Sequence, residues 1–444
     1  MTRSFVIPAS SQWTILKYHQ DQLAFMNYLN NFRRRILKPH PLPPLSQVLF
    51  IQPSSPLLSR SYANSTFTPS SFLPSSRPSS KQYIKAFIVS GFLFGTSLTL
   101  YENSENRLVN KGVRKGTQPE LNISSDKYFP RPRVSNQLKK IFTPQKYFRS
   151  HYIIFGKHGI GKSTLIKMAI KEVGQGVIYV DIPLDTDDFG RSFAKAMNIK
   201  ISDLNNKYKK ESWKVVLDAF EKAAKVHKEK YGKPLVIIYD NVDRLIHKNI
   251  DILDLLHSSV TESDNKENYV AVFVGSEYAV PQRLSSRAYW THLDYFEIGD
   301  LTKNESIEYL ITKKKITLED AIEIYEVIGG CIADLEVAAD DLISGQSVED
   351  IKRKIKVDVE HKFRDAKIFP NEKYYEAGRN IINALLNSKE LCLSELWKFS
   401  NYSESDNEIL GKRLFTYHPE THTITLQSKS TEYYIRENAK FYIK

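Results

Sequence analysis

A triphosphate is bound by amide N–H groups, a fixed cation and a hydroxyl that shares its metal ion, and one stretch of the chain supplies all three at set spacing. Gly156-Lys157-His158-Gly159-Ile160-Gly161-Lys162-Ser163 follows the pattern Gly, four residues, Gly-Lys-Ser. In such a loop the glycines permit a tight backbone turn, and Lys162 reaches the β- and γ-phosphates. The Ser163 hydroxyl coordinates Mg²⁺, with Thr164 beside it. The flanks suit this chemistry: His151–Phe155 reads as a strand entering the loop, and Thr164–Lys171 as a helix leaving it with its positive dipole end toward the anion. A glycine-rich turn without a ligand would need neither flank.

Magnesium needs a second support, an acid at the tip of a buried strand. Pro234-Leu-Val-Ile-Ile-Tyr-Asp240 provides it, because a run of apolar and aromatic residues marks an interior parallel strand and Asp240 stands at its C-terminal end. Asp243 lies three residues on, as either a base that orients water or a helix cap. Tyr269–Val274 is a further strand, followed by Ser276, a candidate partner for the γ-phosphate or the attacking water as well as an ordinary turn residue. Arg283 and Arg287 are candidate arginine fingers, in cis or toward a neighbouring subunit, set against the plainer reading of surface arginines.

The elements that must position these groups are legible as an alternation of short strands with longer helical patterns. Strands are predicted at Tyr152–Phe155, Gly176–Ile182, Leu235–Tyr239, Tyr269–Val274 and Leu293–Ile298. The fold class is therefore α/β, a parallel five-stranded sheet with helices on both faces, over residues 126–300. Helical patterns alone follow, a lid over 301–360. From 370 to 444 the pattern is helix (Tyr375–Leu386), short helix (Leu393–Phe399), third helix (Asn407–Leu414), strand (Thr423–Gln427) and closing helix, which suggests a winged helix. Its third helix begins with acids and has few base-reading side chains, so a protein-contact role outranks DNA binding.

The N-terminus is different in kind. Residues 1–80 are rich in Ser, Pro and Arg and contain Asp21 as their only acid, the composition of a mitochondrial transit peptide or of a generic disordered tail. Residues 84–101 include an uncharged run from Ala86 to Tyr101, about 24 Å as a helix, which is expected to span a membrane once. Gly91 and Gly95 within it would permit self-association. Residues 102–125 read as a polar linker. The expected location is the mitochondrial inner membrane, with the side of the soluble body left open by the flanking charges. The chain of 444 residues carries a formal charge of +12, compatible with import, a membrane surface or nucleic acid. Cys331 and Cys392 stand alone, which excludes a disulfide framework and signals no zinc site.

With these residues in place, the region from Tyr128 to about Leu342 resembles the AAA+ and STAND ATPases, particularly their archaeal-ATPase and origin-recognition-like branches. The resemblance rests on the lead-in Tyr128-Phe-Pro-Arg-Pro-Arg133 with Gln137–Phe142, the phosphate loop, Asp240-Asn-Val-Asp243 and the Gly329-Gly330 pair that opens a lid helix. It implies ATP as the nucleotide, with ADP as its product, and a lead-in packed near the adenine. The usual acidic pair at the strand tip is Asp240-Asn241 here, so the glutamate expected to activate water is missing, and no clear sensor arginine follows Gly330. Slow hydrolysis is expected, which suits a switch acting on a protein client better than a motor. Two other classes stay open: an ATPase linked to nucleic acid, and a nucleotide-binding scaffold without useful hydrolysis.

Overall fold

A computed structural model describes residues 107, 109–121, 128–145, 149–199, 212–264, 268–285, 293–396, 398–399 and 413–443. The tail 1–80, the apolar run 84–101, Arg287 and residues 407–412 of the expected third C-terminal helix lie outside them, and the described end of that helix, residues 413–414, is not helical. Among the described residues no helix is long and apolar enough to cross a membrane.

Five strands, β1 (His151–Phe155), β2 (Val177–Asp181), β3 (Leu235–Asp240), β4 (Tyr269–Gly275) and β5 (Leu293–Glu297), form one parallel sheet in the order β2-β3-β4-β1-β5. Each lies within two residues of its predicted bounds. The central strands are unbroken apolar runs because both faces are covered: Leu235, Ile237 and Tyr239 point into one core, Val236 and Ile238 into the other. β4 repeats the alternation with Ala271 and Phe273 against Val270, Val272 and Val274. One core is closed by α3 (Phe189–Ala196), α4 (Ser212–Tyr231) and α6 (Ile250–Asp264), the other by α1 (Pro132–Phe142) and α2 (Lys162–Val173). α5 (Asp243–Lys248) and α7 (Ala279–Ser285) follow the tips of β3 and β4. The register aligns Asp240 with Asp181 and Val274, and Phe155 with Gly275 and Glu297, so the C-terminal tips form one rim.

The stretch expected as a linker is in part built into the body. Residues 109–115 are helical and bury Val113 in the first core. Thr117 then runs along β2: its N–H donates to the Val177 carbonyl at 2.9 Å, and its hydroxyl accepts from Tyr179 N–H at 2.9 Å and donates to the Ala196 carbonyl at 2.8 Å. β2 is an edge strand whose outer backbone groups need partners, and a polar segment rich in donors and acceptors supplies them.

The lid comprises α8 (Lys303–Thr312), α9 (Leu318–Ile328), α10 (Ile332–Ile343) and α11 (Val348–Asp365), the last extending past the predicted end of the helical region. A capping box at Thr302 and Glu305 starts α8, and another at Ser347 and Asp350 starts α11. Gly330 lets lid and sheet meet, since a Cβ there would lie 2.0 Å from the Leu301 carbonyl oxygen, while Leu301 N–H donates to the Gly330 carbonyl at 2.9 Å. Beyond the lid, α12 (Tyr375–Ser388) packs on a three-stranded antiparallel sheet of β6 (Leu391–Cys392), β7 (Phe415–His418) and β8 (Thr423–Leu426), ordered β6-β8-β7. Short α13 (Leu393–Leu396) follows β6, and α14 (Lys429–Glu437) and α15 (Ala439–Tyr442) close the chain.

Candidate nucleotide-binding site

The phosphate loop leaves β1 and enters α2 directly, and all three glycines that shape it have positive φ. Gly159 (φ +86°) shows why: a side chain there would be strained and would press on Cys331 and Ala333 of the lid. The lid is also bonded to the loop, with Ala333 N–H donating to the Gly159 carbonyl at 3.1 Å. Lys162 is buried. Its ammonium donates to the Gly156 carbonyl (2.8 Å), the Lys157 carbonyl (2.9 Å) and Ser276 Oγ (2.7 Å), so Ser276 and the lysine, far apart in sequence, touch at the rim. Burial pulls the lysine pKa down to about 8, against the upward pull of Asp243 and Asp240. Phosphate oxygens would compete for the same three directions and restore a full partner for the charge.

Asp240 is buried at the tip of β3. It accepts hydrogen bonds from the Tyr179 hydroxyl at 2.6 Å, from Asn241 N–H at 2.8 Å and from Ser163. Burial raises its carboxyl pKa in spite of those bonds. A hydroxyl and a carboxylate held against each other between phosphate loop and strand tip are a donor set that fits a hard, oxygen-seeking cation, and Ser163 and Asp240 are the residues that would hold Mg²⁺. Bound there, the ion would neutralise charge between the β- and γ-phosphates.

Asp243 does something more specific than cap a helix. Its carboxylate accepts Ser276 N–H at 3.0 and 3.1 Å and Glu277 N–H at 2.9 Å, which fastens the start of α5 to the tip of β4. Both oxygens are occupied by backbone. Arg283 is turned to Asp254, with Nε and Nη2 on the two carboxylate oxygens at 3.0 and 2.6 Å, and it does not line the crevice. Asn241, at the place of the absent glutamate, adopts φ 62° and donates to Asp181 at 2.8 Å, while Arg244 bonds the same carboxylate at 3.3 Å.

The crevice bounded by these groups measures about 370 Å³. Tyr128, Phe129 and Arg131 of the lead-in also line it, as do Ile332, Ala333 and Glu336 of the lid. Arg131 is anchored on the Gly299 and Asp300 carbonyls at 2.9 and 3.2 Å, and Lys157 pairs with the Asp300 carboxylate at 2.9 Å. Tyr179, Asp300 and Glu336 were not flagged by sequence reasoning. No local signal marks Tyr179, because its reach to Asp240 follows from strand order.

A parallel sheet whose loop, buried lysine, hydroxyl and strand-tip acid converge on one crevice defines a P-loop nucleotide-binding domain. Residues 131–337 match the model of the ATPase domain predominantly from Archaea. No curated protein matches the chain. Among solved structures the chain is similar to a Walker-type ATPase of Pyrococcus abyssi at 13% identity, covering 70% of this chain and 96% of that one with a TM-score of 0.46. It is also similar to Cdc6p from Pyrobaculum aerophilum (14%, 71% and 95%, TM-score 0.37). A third is the Orc1 protein of Aeropyrum pernix in complex with DNA (12%, 70% and 94%, TM-score 0.37). The family match and the site geometry, rather than these low TM-scores, carry the assignment.

Proposed function

We propose that the chain binds ATP with Mg²⁺, hydrolyses it slowly and works as a switch whose lid and C-terminal module respond to the bound nucleotide. The observation that carries this is the convergence of buried Lys162 with the Ser163–Asp240 pair at the rim of the sheet. Slow turnover is supported by how the strand-tip acids are engaged: Asp240 is held by Tyr179 and Ser163, Asp243 by two backbone amides, and Asn241 stands where a water-activating glutamate is expected. The switch reading is supported by the lid's direct hydrogen bond to the phosphate loop. We read the C-terminal helix, hairpin and closing helix as a winged helix used for protein contact. The Arg- and Ser-rich residues 1–80 and the apolar run 84–101 support placement in the mitochondrial inner membrane, which protease protection of a C-terminal tag on isolated mitochondria would test.

Equilibrium binding and single-turnover hydrolysis on the full chain test the central reading. The expected result is Mg²⁺-dependent ATP binding with turnover well below the ordinary enzyme rate of about 10 s⁻¹. Failure to bind ATP would overturn the proposal, and turnover at the ordinary rate would remove the switch in favour of a motor.

A further inference from the structure

A second cavity of about 200 Å³ lies beside the nucleotide crevice, and its walls come from two distant parts of the chain. His158, Asn241, Asp243 and Ser276 belong to both spaces, whereas Tyr128 and Phe129 line the crevice alone. The two cavities therefore share a wall that includes Ser276, the residue Lys162 touches, and a P-loop lysine meets the β- and γ-phosphates. Another part of its wall is the C-terminal sheet, with Phe415, Thr416, Tyr417 and Gln427, and with Arg413 just before β7.

That wall is fixed in place. His418 Nδ1 lies 2.9 Å from both carboxylate oxygens of Glu297, the last residue of β5, and the Tyr417 ring packs edge-on against Tyr278 at 4.9 Å. Three long cationic side chains line the cavity. Lys157 is paired with Asp300 and Arg244 with Asp181, but Arg413 has no ion-pair partner among the described residues. An unpaired guanidinium across a small cavity from a phosphate loop is poised for an oxyanion, because its planar fork matches phosphate and is weakly hydrated.

We propose that Arg413 binds the terminal phosphate of ATP in cis, so that the C-terminal sheet reads whether the third phosphate is present. The inference rests on the nucleotide reading of the main crevice. It explains a switch in physical terms: ATP bridges Lys162 and Arg413 and tightens the docking of the module, whereas ADP leaves the contacts that need no third phosphate, among them those at Glu297 and Tyr278. A ligand shifts a docking equilibrium only through such a difference in contacts between the two states.

The backbone of Arg413 offers a clean variant. It sits at φ 60°, so Arg413→Gly removes the guanidinium while relaxing the chain rather than straining it. Full-length protein is titrated with Mg²⁺ and either β,γ-imido-ATP or ADP by calorimetry. The expected result is that Arg413→Gly weakens the ATP analogue by about 10-fold or more, the size of one charge-assisted hydrogen bond, and changes ADP by less than about 2-fold. Arg413→Lys should recover part of the difference, since it keeps the charge and loses the fork. Hydrogen exchange supplies the second reading: the analogue should protect residues 415–418 and 423–426 more than ADP does in the wild type, and equally in Arg413→Gly. Equal weakening of both nucleotides, or an unchanged ratio between them, would overturn the role of Arg413. A wild type that binds neither nucleotide would instead sink the reading of the main crevice.

Discussion

The phosphate loop and the C-terminal sheet face each other across the same strand tips, yet they reach that place by opposite routes. Gly156–Ser163 is one short string in which a strand end, three glycines and a helix start act on adjacent residues, so its geometry follows from local chemistry. Arg413, Tyr417 and His418 arrive there only because the lid carries the chain back over the rim, where Glu297 and Tyr278 hold them. Grip on the nucleotide is thus a local property of the chain, and discrimination between nucleotides is a property of the whole fold. Substitutions can pull the two apart.

The largest expected effect lies in the loop. Lys162→Ala removes the buried ammonium of the phosphate loop and should weaken ATP and ADP alike by about 100-fold, roughly the worth of two charge-assisted hydrogen bonds, with the C-terminal module still docked in the nucleotide-free protein. Calorimetry reads the first and hydrogen exchange over 415–426 the second. An undocked module in this variant would erase the distinction between the two regions. The same lysine predicts a pH dependence. Its folded pKa, about 8, lies below the ordinary 10.5, so between those values the unfolded chain holds more protons, and stability from this group rises as pH climbs from 8 to 10.5. Phosphate binding recharges the lysine. Above pH 8 binding must therefore take up a proton, and apparent affinity should fall by up to about 10-fold per pH unit. Calorimetry at pH 9 in buffers of different ionisation enthalpy measures that uptake directly, and none should occur in Lys162→Ala.

Asp243 comes next, because it stands at the boundary of both cavities. If its carboxylate serves as the clamp seen between α5 and β4, Asp243→Ala should cost about 2 kcal/mol, from two amides left without a charged acceptor. Asp243→Asn, which keeps one acceptor oxygen, should recover roughly half. Thermal unfolding settles the stability, and single-turnover hydrolysis settles the chemistry. A normal melting curve for Asp243→Asn combined with lost hydrolysis would make the residue a base after all.

What could be read from residue order follows the same division. The five strands were legible within two residues; for the central β3 and β4 this is because both faces are buried, which writes them as continuous apolar runs bounded by turns. Loop and strand-tip acid were legible because their chemistry needs contiguous residues. β7 was not. Phe415–His418 is four residues long, carries no apolar run, and becomes a strand only by pairing with β8. The segment around Thr117 looked like a linker for a related reason: its polarity serves the backbone of β2, a use that requires knowing which strand lies at the edge. Tyr179 and Asp240 belong to neighbouring strands, and only the order β2-β3 puts them in contact.

That contact gives a smaller prediction. Tyr179→Phe removes the hydroxyl bonded to buried Asp240 and should cost about 1.5 kcal/mol, the low end for a hydrogen bond to a charged group. Mg²⁺ dependence should change while the ATP-to-ADP ratio set by the C-terminal sheet does not. A shift in that ratio would mean that the strand-tip acid, and not Arg413, reads the third phosphate.

Arg283 should have the smallest effect, and its value lies in what a null result excludes. Its guanidinium is committed to Asp254 on both carboxylate oxygens, joining α7 to α6 behind the rim. An arginine finger acting on the nucleotide, in cis or across a subunit boundary, is worth about 10³-fold or more in hydrolysis. Arg283→Ala should instead leave single-turnover hydrolysis indistinguishable from wild type, whatever the lost pair with Asp254 costs in melting temperature. Asp254→Asn, which loosens the pair and frees the arginine, should be equally silent. A large loss in the first variant, or a gain in the second, would place a catalytic cation at the back of β4 and break the division of labour drawn between the two regions.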